Sequence, residues 1–151
     1  MMRMTTILAG LVLASAMSTT AMAESDPAER ALEYRQGAFN AMAWSFGPMA
    51  AMVKNKMPYD AALFTMHAER VAFLAHLPLE GFVPGSKIGD TTAKQEVWDN
   101  ADDFRLGMEG LISEANKLVT VSQAGDLDAI RPQFGALGKT CKGCHDDYRT
   151  E

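Results

Sequence analysis

Five residues near the C-terminus constrain this chain more than any other feature: Cys141, Lys142, Gly143, Cys144 and His145. The pattern C-x-x-C-H is the attachment signal for c-type haem. Two thiols add across the two vinyl groups of a haem and become thioethers, and the adjacent imidazole takes an axial position on the iron. On a helix the three side chains stand at i, i+3 and i+4 and share one face. The chain has no other cysteine. A redox disulfide would set C-x-x-C after a strand, at a helix N-terminus in a βαβ pattern, and no such pattern is visible. A zinc site would need a fourth ligand, with only His67 and His76 left as nitrogen donors and neither at finger spacing. The expected cofactor is therefore one covalent haem c on Cys141 and Cys144, with His145 as the iron ligand.

The first 23 residues read differently from the rest. Arg3 is their only charge, Ile7 to Ala14 is a short apolar run, and Ala21-Met22-Ala23 is a small-residue cleavage site. That is a secretory signal peptide, too short to span a membrane. Cleavage after Ala23 leaves residues 24–151 as one mature domain without a membrane anchor. Export matches the motif, because covalent haem attachment takes place on the outer side of a bacterial inner membrane, so a periplasmic address is expected. The formal net charge of −5 argues against nucleic acid and anionic membrane surfaces as partners.

The mature chain reads as helices throughout. Asp26 and Pro27 open the first. Arg35, Phe39, Met42, Phe46, Met49 and Val53 recur at helical steps along it. Pro48 predicts a kink. Ala31, Gly37, Ala38 and Ala41 offer small residues for close approach by a neighbouring helix, in the core or across a subunit contact. A second helix runs from about Tyr59 to His76 and ends before Pro78. Residues 77–92, rich in Pro and Gly, read as a crossover loop. A third helix spans about Ala93 to Ala124, with a heptad-like seam of Val97, Ala101, Phe104, Met108, Leu111, Ala115 and Leu118. Gly125 ends it, and Asp126 caps a fourth that runs to about Arg149. Ile130, Phe134, Leu137, Cys141, Cys144 and Tyr148 form the seam of that last helix. Four helices with short turns and no strand signal make an all-α chain, an antiparallel four-helix bundle.

At this point the chain resembles the cytochromes c′, the high-spin members of class II c-type cytochromes. The marks are CKGCHDDYR close to the C-terminus, YRQGAFNAM on the first helix, PYDAA at the second, EVW at the third, and AGDLDAIR joining the last two. The resemblance implies that His145 is the sole protein ligand to the iron and that Phe39 covers the opposite, distal face. It implies that Arg35 and Arg149 lie near the haem propionates and that Met42 lines the pocket. It also implies a homodimer built from the first two helices. Without the resemblance, Phe39 reads as a plain core aromatic, and Arg35 and Arg149 read equally well as solvated surface residues.

The distal assignment is chemically coherent. Phe39 has no lone pair and cannot coordinate iron, so small neutral gases such as NO and CO could enter by displacing its ring. It also offers dioxygen no hydrogen-bond donor. The expected function is a periplasmic haem protein with five-coordinate iron that binds these gases and also serves electron transfer, its redox partner unknown. The alternative is a low-spin electron-transfer cytochrome with Met42 as sixth ligand, although most of the eleven methionines read as gap-fillers. His76, near a helix C-terminus, and His67 read as surface residues rather than ligands. The paired Asp102-Asp103 and Asp146-Asp147 read as solvated. No nucleophile–base pair or phosphate loop is present, so no enzymatic turnover is expected.

Overall fold

Three aspartates start three of the long helices. In the computed structural model, which describes residues 26–150, an Oδ1 of Asp26 accepts from the Ala28 amide, one of Asp60 from Leu63, and one of Asp126 from Asp128, each at 2.9 Å. They open α1 (Pro27–Val53), α2 (Ala61–Leu74) and α5 (Leu127–Tyr148). Each carboxylate satisfies an amide that its helix cannot, at the positive end of the helix dipole. Between α2 and α5 come a 3-10 turn (Pro78–Gly81), a single-turn helix α3 (Glu96–Asp99) and α4 (Ala101–Ser122). Gly125, at φ +70°, makes the sharp turn from α4 to α5.

The four long helices form the expected antiparallel bundle. α1 packs on α2, α2 on α4 and α4 on α5; of the four sides, α1 and α5 meet least. Met49, Met52, Phe64, Ala68, Leu118, Ile130 and Leu137 are wholly buried at its centre. Burying such side chains is the main force holding the helices together.

Several expectations shift. The expected single third helix breaks at Asn100, whose φ −116°, ψ 46° leave the helical region. The break lets Val97 stay buried while the Trp98 indole donates to the Val83 carbonyl at 3.0 Å. It also resets the register, so Ala101 faces solvent rather than the seam. α1 continues through Pro48. The missing donor there would have paired with the carbonyl of Trp44, a residue that is largely exposed, where water can take its place. The four small residues of α1 do not share a face: Ala38 is buried and Ala31 half-buried, whereas Gly37 and Ala41 are exposed. His67 is buried rather than at the surface, with its Nδ1 unpartnered. The expected signal peptide, Met1–Ala23, lies outside the described residues. Among those residues, no helix is long and apolar enough to cross a membrane.

Candidate haem site

The last two turns of α5 carry the motif as its spacing requires. Cys141 and Cys144 are free thiols, half-buried against the core. Burial raises both pKa values, and for Cys144 the neighbouring Cys141 and Asp147 raise it further. Both shifts have the same main cause, the burial of the two sulfurs on the core side of α5. His145 stands beside them at the surface of the helix. Partial desolvation lowers its pKa, and the nearby Arg149 charge lowers it further against the opposing pull of Asp146. The neutral imidazole so favoured is the form that offers a lone pair to a metal.

The end of α5 is tied down from outside the helix. Its last carbonyls have no partner within it. Lys94 supplies them: its amide donates to the Tyr148 carbonyl at 2.9 Å, and its Nζ to the Asp146 and Asp147 carbonyls at 2.8 and 3.2 Å. An ammonium at a helix C-terminus is also favourable against the dipole. Arg149 lies just past the helix in extended conformation and bridges to Ala93. Its amide still closes the last helical turn, donating to the His145 carbonyl at 3.1 Å, and the bridge to Ala93 takes the chain on from there in extended form.

On the other side of the site, α1 grips the crossover loop with three consecutive residues. Tyr34 donates its hydroxyl to Glu80 at 3.0 Å, and Gln36 donates its amide to the Asp90 carbonyl at 2.8 Å. Between them Arg35, only 2% exposed, spends both terminal amino groups on the loop. Nη1 donates to the Gly81 carbonyl at 2.6 Å and to Ser86 Oγ at 2.7 Å; Nη2 donates to the Ser86 carbonyl at 2.8 Å and to Thr91 Oγ1 at 3.4 Å. The guanidinium also lies over the rings of Phe82 and Trp98, 4.7 and 5.5 Å from their centroids. Burial lowers its pKa, but a guanidinium stays protonated. Its charge is thus met by oxygen dipoles and ring faces. The packing is tight: a Cβ on Gly81 would come within 2.7 Å of the Ala31 carbonyl oxygen and of Arg35 Cβ.

Phe39, one turn beyond Arg35, is half-buried and meets Phe82 edge-on at 6.3 Å. Phe82 meets Phe104 at 4.8 Å, and Phe104 meets Tyr148 at 5.1 Å. This line of rings runs from α1 across the loop and α4 to the last turn of α5, with Trp98 against Phe82 at 5.9 Å. Met42 is buried in the main core cluster. Phe82 and Ser86 were not singled out by the sequence, because their pattern within the loop carries no periodic signal.

The residues fit a haem. Two core-facing thiols are followed by an imidazole biased to its neutral form. The least packed side of the bundle is walled by flat apolar rings. A buried guanidinium there has oxygen dipoles and aromatic faces for partners, so an acidic group would complement it.

A family model described as Cytochrome C′ matches residues 30–149. Cytochrome c′ of Halomonas halodenitrificans is 42% identical over 129 residues, covering 82% of this chain and 98% of its own. The solved structure of cytochrome c prime from Shewanella frigidimarina is 42% identical with a TM-score of 0.80, covering 85% of this chain and 99% of its own. A nitric oxide complex of a mutant cytochrome c prime from Alcaligenes xylosoxidans is 39% identical with a TM-score of 0.77, over 85% of this chain and 99% of that one.

Proposed function

The chain belongs to the cytochrome c′ family and its cofactor is covalent haem c; on that premise we propose that it is a periplasmic protein that reversibly binds NO and CO. When bound, haem would supply an iron able to take up a small neutral ligand. Cys141 and Cys144 would hold it, and His145 would be its one protein ligand. The observation that carries this reading is the distal wall: Phe39 is backed by Phe82 and Phe104, rings without a lone pair to occupy that position. Met42 packs within the core cluster, which favours this reading over a His/Met electron-transfer cytochrome. The nitric oxide complex of the Alcaligenes xylosoxidans relative supports the choice of ligand. Arg35 and Arg149 would serve the haem carboxylates, Arg35 while also holding the loop. Electron transfer through the same iron is compatible with this site, and no catalytic turnover is proposed.

The test is the absorption spectrum of periplasmically expressed protein, ferric, ferrous, and ferrous with CO or NO. Broad high-spin bands that sharpen or shift with gas are expected. A low-spin resting spectrum that resists CO would overturn the reading and make Met42→Leu the next experiment.

The proposal includes a homodimer through the first two helices. Tyr34, Gly37, Ala41 and Trp44 make one exposed stripe along α1, and Trp44 is 79% exposed. Phe73 on α2 is 69% exposed. A second copy covering these groups removes large apolar surface from water. Sedimentation velocity should show a dimer that Trp44→Glu dissociates; a monomeric parent would refute it.

A further inference from the structure

Ser86 is wholly buried in an otherwise irregular loop, and its hydroxyl works in two directions. Oγ accepts from Arg35 Nη1 at 2.7 Å and donates to the Val83 carbonyl at 2.7 Å, while the Ser86 carbonyl accepts from Arg35 Nη2. Ser86 thus closes the loop onto itself and onto α1 at one point. Phe82, whose ring lies under the Arg35 guanidinium and against Phe39, is carried by the segment so closed. A buried hydroxyl with both roles filled is costly to replace, because each partner left behind is itself buried and polar.

We propose that Ser86 is a positioning residue: it latches the crossover loop onto Arg35, holds Phe82 behind Phe39, and thereby sets how fast a gas ligand passes the Phe39 ring. This rests on the gas-binding reading above. A ligand reaching the distal face needs Phe39 to move, and Phe82 is the ring that Phe39 meets edge-on. The loop behind Phe82 is the element that can give, since much of it is held by side-chain bonds from α1 rather than by regular structure.

The experiment uses the full haem-loaded protein and compares Ser86→Ala and Ser86→Thr with the parent. In Ser86→Ala, CO association with the ferrous protein should speed about fivefold, the effect of losing roughly one net hydrogen bond, with the resting spectrum unchanged. Trypsin should cut at exposed Lys87 faster by a similar factor. Ser86→Thr keeps the hydroxyl and should restore both values. Thr91→Val, which removes the long 3.4 Å bond from Arg35 and the 3.2 Å bond from the Ala93 amide while leaving the Ser86 contacts in place, gives a smaller change in the same direction and serves should Ser86→Ala fail to fold. Faster cleavage at Lys87 with an unchanged CO rate would overturn the proposal and leave gas binding intact, as would no change in either. A parent protein that is low-spin and takes no CO overturns the gas reading, and the latch with it.

Discussion

The two ends of the α1–α5 side are built differently. At the far end the helices touch directly: the rings of Phe46 and Phe134 stack at 4.5 Å, and Arg131 reaches from α5 to the Val53 carbonyl and to Asn55 Oδ1 at 3.3 and 2.8 Å. At the motif end the join is indirect. The ring contacts run from Phe39 to Tyr148 by way of Phe82 and Phe104, and the loop that carries Phe82 is held by Arg35. Direct contact closes one end, a ring stack joined by the Arg131 hydrogen bonds. The other end depends on a polar lock, and it is the end where, on the proposed reading, a planar group and a moving ligand are accommodated. Stability and ligand chemistry should therefore respond to different substitutions.

The largest effect lies in the motif. Changing both Cys141 and Cys144 to Ser should abolish covalent attachment, and mass spectrometry would then find the chain lighter by roughly 600 Da. A covalent adduct surviving in that variant would remove the basis of the site. At the far end, Phe134→Ala should cost about 3–5 kcal/mol of stability by emptying a packed position, with little change in the haem spectrum. A large spectral change would show that the two ends are not separable. At the motif end, Arg35→Met should cost roughly 2–3 kcal/mol by taking the guanidinium donor from the buried Gly81 and Ser86 carbonyls. Unlike Phe134→Ala, it should also alter the spectrum and CO kinetics. Equal behaviour of the two variants would erase the contrast drawn here.

The smallest effect belongs to neither end. Burial lowers the pKa of His67, helped by the charge of Arg70, so the folded chain binds this proton less readily than the unfolded one. Its contribution to stability is full above the unfolded value of 6.5. Stability falls as pH drops from there toward the lowered folded pKa and levels off below it. His67→Gln should flatten the fall in Tm between pH 7 and pH 5; an unchanged slope would assign the pH dependence to other groups.

Much was legible because it is local. The motif is a matter of i, i+3, i+4 spacing. The caps of α1 and α5 follow from Asp26 and Asp126, and the turn at Gly125 from one residue's tolerance of positive φ. The seam from Ile130 to Leu137 holds for the same reason, since a continuous helix keeps its register. Register failed where the helix did: the break at Asn100 turned Ala101 outward, and nothing at Asn100 alone announces it. Arg149 kept its four-residue relation to His145, since its amide still donates to the His145 carbonyl at 3.1 Å, and only its extended backbone beyond the helix depends on the distant Ala93.

The sequence by itself determined the cofactor, the helical class, the face of α5 that meets the core and most of the helix starts, because each rests on residues within one or two turns of one another. Only the tertiary structure decided what stands opposite the motif. Arg35 could have been a solvated surface residue; it is the buried anchor of the crossover loop because Gly81 lets the backbone approach α1 and Ser86 supplies an acceptor 51 residues away. Contacts at such separation depend on how the helices pack, and that packing is a property of the whole bundle rather than of any stretch within it.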